Sequence, residues 1–200
     1  MADLIDTIHF QKLSEQDPNE VCRRASCTYD EMNEFFVLSV WGKEYGIFPK
    51  QLKMNCLGNN TQSFHDYFYL FIIHYLLNSK EIGLSNEWIS EKDIPGGTTF
   101  FRGPHEIPTK LISFRFNNNI NEFKERCEQL HGIPLNMGDA AYSFKITPRI
   151  PVAVLYWRGD DEFPPESKIL YDRTITEHLA SDIIYALAVG ICERLGKPLG

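Results

Sequence analysis

One short segment near the C-terminus concentrates carboxylates that could do chemistry. It reads RGDDEFPPESKILYD over Arg158–Asp172 and holds Asp160, Asp161, Glu162 and Glu166. Carboxylates on a loop beside a rigid sheet can bind a hard cation or exchange protons with a substrate. Runs of charge are also typical of a solvated loop, and this alternative stays open.

A second candidate group lies around two successive glycines. Gly96 and Gly97 follow Ile94-Pro95, and glycines let a backbone come close to a ligand. Arg102 could clamp an anion there, with His105 nearby. An ordinary loop turn explains the same pattern.

Three further residues complete the candidate ligand-binding set. Asp139 follows Gly138 at the start of a predicted strand, where it could cap, turn or ligate. Arg149 lies between Pro148 and Ile150 and is a third cation that could face the same site. Trp157 immediately precedes the acidic segment and is a candidate ligand-binding residue together with it.

No metal site is predicted, and the cofactor stays open. The five cysteines are scattered and form no CxxC pair, which indicates reduced thiols acting as fillers or surface groups: Cys22, Cys27, Cys56, Cys127 and Cys192. The sequence contains no GxGxxG, P-loop, HExxH, GxSxG or EF-hand pattern. No nucleophile–base constellation can be inferred from the linear pattern.

Composition narrows the class of protein. The chain has 200 residues and a net charge of −7, which disfavours binding to a nucleic-acid backbone. Its most apolar segment, Phe64–Leu77, is shorter than the ~20 residues of a membrane span, so a core helix is predicted instead. We see no signal peptide. We therefore expect a cytoplasmic protein without a membrane or nucleic-acid partner.

Hydrophobic periodicity predicts an α+β fold. An antiparallel sheet, including a C-terminal meander of three strands, packs against a buried central helix and a C-terminal helix. We expect a single domain over residues 1–200, with residues 1–30 as a helical N-terminal appendage. The predicted elements are a helix starting at Asp17, a hairpin of Glu34–Trp41 and Glu44–Phe48, the core helix Thr61–Asn78 capped by Asn59 or Asn60, a strand at Thr98–Phe101, a helix at Pro104–Phe116, a second helix ending near His131, strands around Tyr142–Ile146, Pro151–Trp157 and Lys168–Tyr171, and a final helix with a capping box at Thr174 and Glu177.

Several segments resemble the family of domains of unknown function numbered 3786. They are Asp17-Pro18 with Arg23-Arg24-Ala25, Trp41-Gly42-Lys43-Glu44-Tyr45, His74-Tyr75-Leu76-Leu77, Asp93-Ile94-Pro95-Gly96-Gly97, Pro134 to Asp139, Pro148-Arg149-Ile150-Pro151, Trp157 to Pro165, and Ile169-Leu170-Tyr171-Asp172. The resemblance covers nearly the whole chain and implies a protein of anaerobic bacteria or archaea. Some relatives carry an iron–sulfur module with clustered cysteines. This chain lacks that cluster, so a redox role would need a partner or another cofactor.

Three functions remain in competition. The first is a binding or accessory domain that holds a small anionic ligand or cofactor, or docks onto a metabolic partner protein in anaerobic metabolism. The second is an enzyme, in which Asp160, Asp161 or Glu162 acts with Arg102 or Arg149 on an anionic substrate. The enzyme requires these side chains to meet in one pocket. The third is a structural partner subunit, which an exposed apolar patch without a pocket would indicate.

Overall fold

The chain folds into two antiparallel sheets that share one apolar core with a layer of helices. A computed structural model describes residues 5–58 and 64–197. Within these residues the helices are α1 (Thr7–Ser14), α2 (Pro18–Ala25), α3 (Asp66–Asn78), α4 (Gly97–Phe100), α5 (Lys110–Phe116), α6 (Ile120–Gln129), α7 (Ile175–His178) and α8 (Ser181–Gly196). The strands are β1 (Thr28–Asp30), β2 (Phe35–Val40), β3 (Lys43–Phe48), β4 (Lys53–Cys56), β5 (Trp88–Ile89), β6 (Ile133–Leu135), β7 (Ala140–Thr147), β8 (Ile150–Trp157) and β9 (Glu166–Asp172). The predicted α+β class is confirmed.

The first sheet has the order β1-β2-β3-β4, and its central hairpin is the predicted one. Val40 pairs with Lys43, so the turn consists of Trp41 and Gly42, both with positive φ. Two positive φ angles are the geometry of a tight hairpin turn, which glycine accepts readily and tryptophan does not. The Trp41 indole N–H donates to the Leu130 carbonyl at 3.0 Å, which helps to hold this residue in place.

The second sheet has the order β5-β9-β8-β7-β6 and contains the predicted meander of β7, β8 and β9. The central strand β8 is apolar along most of its length, because both of its faces are covered. A backbone hydrogen bond of 2.7 Å from Trp41 to Ile146 joins the two sheets. The sheets are therefore tied at the hairpin turn of the first.

The core helix α3 packs along α8, as expected for the most apolar segment. The two helices approach closely at Gly190, where an added Cβ would lie 2.3 Å from Phe68. The helix begins at Asp66, later than predicted, and the proposed caps Asn59 and Asn60 lie outside the described residues. No helix in the described part of the chain is both long and apolar enough to cross a membrane.

Two predictions for the middle of the chain were wrong. The expected strand at Thr98–Phe101 is the short helix α4, because backbone N–H groups of Thr99 and Phe100 donate to Gly96. The expected helix at Pro104–Phe116 begins only at Lys110. Pro104 and Pro108 lack the N–H groups that a continuous helix needs, so the intervening chain is a short 3-10 turn and a coil.

The predicted C-terminal helix is broken into α7 and α8 at Leu179 and Ala180, which have extended backbones. The predicted capping box does not form. The hydroxyl of Thr174 donates instead to Asp172 at 2.6 Å, and Glu177 pairs with Lys80 at 2.9 Å. A hydrogen bond to the nearby Asp172 and an ion pair with the distant Lys80 have therefore replaced the predicted cap.

Candidate functional site

The ten predicted ligand-binding residues lie in separate regions of the second sheet and its flanking loops. We name the two ends of this sheet by Arg149, which precedes β8, and by Trp157, which ends it. A strand of this length spans about 25 Å at ~3.3 Å per residue. Arg149 is therefore remote from the acidic segment at the Trp157 end.

The side chain of Arg149 is hydrogen-bonded to backbone carbonyls of the same chain. Its guanidinium donates to three backbone carbonyls, those of Arg24 at 2.6 Å and of Ile82 and Arg23 at 3.1 Å each. Two of these carbonyls belong to the last turn of α2, where a cation is also favoured by the helix dipole. The structure therefore does not bring Arg149 together with the acidic loop, as the enzyme hypothesis that uses both would require.

The acidic segment is an exposed, self-bonded loop at the Trp157 end. One Asp160 carboxylate oxygen accepts from the N–H groups of Glu162 at 2.9 Å and Phe163 at 2.8 Å. These bonds hold the pKa of Asp160 below its ordinary value. The side chains of Asp161 and Glu162 are exposed beside it.

Asp139 and Trp157 support the same end of the sheet. The Asp139 carboxylate accepts from the backbone N–H of Arg158 at 2.8 Å. Trp157 packs with Leu155 and Leu170 in a small apolar cluster on the sheet's outer face. Both residues have an evident role in holding the strand ends together.

Only a glycine fits at position 97, because the backbone of another segment packs directly against it. A Cβ at this position would lie 1.9 Å from the carbonyl oxygen of Glu91. Its neighbour Gly96 begins α4 with a φ of +75°. His105 stacks on Phe100 with the ring centroids 4.6 Å apart.

Arg102 lines a cleft of about 380 Å³ between this region and the start of β9. Charges of both signs surround it, with Lys92 and Lys168 as further cations and Glu91, Glu106 and Glu166 as anions. The structure thus brings Arg102 near Glu166. The cleft lining does not include Asp160, Asp161 or Glu162.

A buried carboxylate organises the Arg149 end. Asp172 is 4% exposed and accepts from the backbone N–H groups of Ser85 at 3.1 Å, Asn86 at 2.8 Å and Thr174 at 3.0 Å. The hydroxyls of Ser85 and Thr174 also donate to it, at 2.9 Å and 2.6 Å. Burial alone would raise the pKa of Asp172, but these hydrogen bonds outweigh it and lower the pKa.

Asp172 and Arg149 together fix the segment Ser79–Glu87, which we call the tethered segment. Arg149 binds it at Ile82, Asp172 binds it at Ser85 and Asn86, and Arg173 pairs with Glu87 at 2.5 Å. This segment connects α3 to β5 without regular structure. Its attachment positions Lys80 beside α7.

A cleft larger than the one at Arg102 lies beside this segment. It has a volume of about 950 Å³ and lies between α1, the end of α3, α7 and the start of α8. We call it the histidine cleft, because three histidines line it. Its polar lining residues are His9, Lys12, Glu15, Gln16, His74, Asn78, Lys80, Thr176, Glu177, His178 and Asp182.

Two of these histidines form a pair. The rings of His9 on α1 and His74 on α3 have centroids 4.5 Å apart. Burial lowers the pKa of His74, and the neighbouring His9 and Lys12 lower it further. The lowered pKa favours the neutral form of His74, whose ring can bind a ligand as a hydrogen-bond donor or acceptor.

The third histidine is buried and neutral. His178 is 2% exposed, and its Nδ1 accepts from the backbone N–H of Lys80 at 3.1 Å. Burial, together with the positive charges of Arg149 and Lys80, lowers the pKa of His178 to about 4. The ring proton therefore lies on Nε2, which has no acceptor among the described residues.

The first turn of α8 adds backbone donors to the cleft. Its N-cap Ala180 has no side chain that can accept a hydrogen bond, and the Asp182 carboxylate accepts from the backbone N–H of Ile183 at 2.9 Å. Ala180, Asp182 and Ile183 all line the cleft. The N-terminus of a helix favours negative charge, and Asp182 supplies part of that charge here.

Sequence patterns did not reveal the histidine cleft. His9 and His74 are separated by 65 positions and meet only because α1 packs on α3. His178 lies in the part of the predicted C-terminal helix that proved to be broken. Among the described residues, no group of three or more His, Cys, Asp or Glu side chains could hold a metal ion.

Searches of curated proteins and of solved structures gave no match. A family model described as "Domain of unknown function (DUF3786)" matches residues 17–194. This match covers α2 through most of α8 and includes Arg149, Asp172 and His178. The chain therefore belongs to the DUF3786 family.

Proposed function

We propose that this protein binds a small anionic molecule in the histidine cleft. The observation that carries the proposal is the placement of His9, His74 and Lys12 in the same cleft as the first turn of α8. The volume of about 950 Å³ lies within the range of ~300–1,000 Å³ that is typical of ligand sites. The predicted anionic ligand is retained, but at a different place in the fold.

The charges of the cleft narrow the chemistry of the ligand. Lys80 is paired with Glu177, so Lys12 is the cation offered to a ligand, and the histidine pair lies beside it as hydrogen-bonding groups. The carboxylates of Glu15 and Asp182 supply acceptors in the same cleft. A ligand with a carboxylate or phosphate at one end and an amine or hydroxyl at the other would match both sides.

The walls of the cleft suit a preformed site. The helices α3 and α8 are close-packed, and α7 is bonded to the tethered segment through His178 and Lys80. In a rigid site, the free-energy cost of ordering side chains and loops on ligand binding is smaller. We propose that the protein acts as a cytoplasmic binding or accessory protein, in the anaerobic metabolism that the sequence resemblance suggests.

A ligand titration followed by NMR tests this proposal. Phosphate, citrate and glutamate would each be titrated into the ¹⁵N-labelled chain at low ionic strength. We expect saturable shifts of the amides of Ser181 and Asp182 and of the ring protons of His9 and His74. Lys12→Met should weaken binding by about fivefold to tenfold, since one charge-assisted contact contributes ~1–1.4 kcal/mol.

Lys145→Met is the matched control, because Lys145 is an exposed lysine on β7 outside the cleft lining. It should leave the affinity unchanged. Arg102→Met separates the two clefts. If that variant loses binding while Lys12→Met retains it, the ligand lies in the Arg102 cleft and the proposal is wrong. Absence of saturable shifts with every probe would also contradict it.

A further inference from the structure

The end of α2 carries two thiols in contact. The Sγ atoms of Cys22 and Cys27 are 3.9 Å apart, and both side chains are half-buried. The backbone explains the contact: Ser26 adopts the left-handed conformation, and the N–H of Cys27 donates to the carbonyl of Cys22 at 3.1 Å. This is the Schellman helix end, which brings these two positions together in many helices through an apolar contact.

We propose that Cys22 and Cys27 form a site of reversible disulfide formation. A disulfide requires sulfur atoms at about 2.05 Å, so closure needs rotation of side chains that already face each other. The hydrogen bond from Cys27 to Cys22 holds the two backbones in place for this rotation. Cys56 is also half-buried, but it has no such thiol contact among the residues that the structure describes.

The chemistry is thiol–disulfide exchange with a low-molecular-weight disulfide such as oxidised glutathione. The Cys22 thiolate attacks the small disulfide, forms a mixed disulfide and releases one glutathione thiolate. The Cys27 thiolate then attacks the Cys22 sulfur and releases the second glutathione. The protein loses two protons and two electrons, and one glutathione disulfide becomes two glutathione thiols.

The two cysteines lie next to contacts that hold other parts of the fold together. The carbonyls of Arg23 and Arg24, between the two cysteines, are the ones that bind Arg149. The Arg24 side chain also donates to Gln16, which lines the histidine cleft. Disulfide formation would therefore lock the helix end on which the Arg149 contacts and one wall of the cleft depend.

The test is an equilibrium titration of the full chain in glutathione buffers at mildly alkaline pH, because burial raises the pKa of the Cys22 thiol. Free thiols would be trapped with N-ethylmaleimide and the products mapped by mass spectrometry. We expect a Cys22–Cys27 bond to form before any other pairing, with a mass lower by two hydrogen atoms. The equilibrium constant should be at least about tenfold larger for the native chain than for the chain in urea, because the fold holds the sulfurs together.

Cys56→Ser is the matched control and should leave the titration unchanged. Cys22→Ser and Cys27→Ser should each abolish the internal bond and leave a mixed disulfide at the remaining thiol. The proposal would be overturned by glutathione adducts alone in the native wild-type chain, by a different internal pairing, or by an equilibrium constant no larger in the native state. The wild-type comparison between native and unfolded chains does not depend on how well the serine variants fold.

Discussion

The two ends of the second sheet both carry aspartate side chains, but they use them differently. At the Arg149 end, Asp172 is buried and accepts from Ser85 and Asn86, which are more than 80 positions away in sequence. At the Trp157 end, Asp160 is exposed and accepts only from residues two and three positions ahead. The same chemical group therefore closes a long loop at one end and shapes a short turn at the other.

The comparison distinguishes charged side chains that are hydrogen-bonded within the fold from charged side chains that are exposed to solvent. The charged side chains at the Arg149 end are satisfied by the backbone, as the three carbonyls around Arg149 show. The exposed carboxylates at the Trp157 end interact with water. Removing a buried charge leaves its partners unpaired, whereas removing an exposed one exchanges a local bond for solvent. The contrast can be measured directly as differences in the free energy of unfolding.

The largest effect is expected from Asp172→Ala. This substitution leaves several donors of the tethered segment and of Thr174 without an acceptor, so we expect the free energy of unfolding to fall by about 3–5 kcal/mol. Asp160→Ala is the matched control and should lower the free energy of unfolding far less, because Asp160 is exposed. Urea denaturation followed by circular dichroism measures both. Equal costs for the two variants would remove the distinction between the two ends.

The pH dependence of stability is a second way to measure the contribution of the buried Asp172 carboxylate. Hydrogen bonds to the folded chain lower the pKa of Asp172 below its ordinary value of about 3.9. Its stabilisation is therefore complete above pH ~4 and is lost as the pH falls through the lower folded pKa. Asp172→Asn should reduce the acid-induced loss of stability that the wild-type chain shows below pH ~4.

Arg149→Met is expected to have the next largest effect. It removes three hydrogen bonds to carbonyls but keeps most of the side chain's aliphatic bulk, so we expect a loss of about 2–3 kcal/mol. Hydrogen exchange should show the tethered segment opening more readily in this variant. Arg102→Met provides the comparison, since Arg102 is exposed and should cost less than about 0.5 kcal/mol. A stable Arg149→Met variant with a protected tethered segment would contradict the assigned role.

The sequence predicted the parts of this fold that depend on local periodicity. The alternation of Tyr142, Phe144 and Ile146 identified β7, and the apolar segment from Pro151 identified β8. Asp17 and Pro18 marked the start of α2 correctly, and the Asp17 carboxylate accepts from Asn19 at 3.0 Å. Each of these signals is contained within a few neighbouring residues.

The remaining features depend on contacts between distant residues. Nothing near Glu177 indicates that it pairs with Lys80, 97 positions away, so the capping box was predicted where none forms. Nothing near Gly97 indicates that the carbonyl of Glu91 occupies the space of its side chain. The candidate residues include Arg149, which binds carbonyls more than 60 positions away in sequence, and a linear pattern does not show such a contact.

The smallest effect is expected from His178→Asn, and it concerns pH. The asparagine oxygen can still accept from the backbone of Lys80, so the variant removes titration while keeping that bond. Because the folded pKa of His178 is lowered to about 4, its neutral form stabilises the fold fully above its unfolded pKa of ~6.5. That stability is lost as the pH falls from about 6.5 toward 4, by an amount we place at about 1–2 kcal/mol. His178→Asn should flatten the stability curve over this window, and His131→Asn, at an exposed position, should leave it unchanged. If the wild-type and His178→Asn curves stay parallel from pH 6.5 to 4, then His178 is not held neutral by burial, and this wall of the histidine cleft opens to water more readily than the structure indicates.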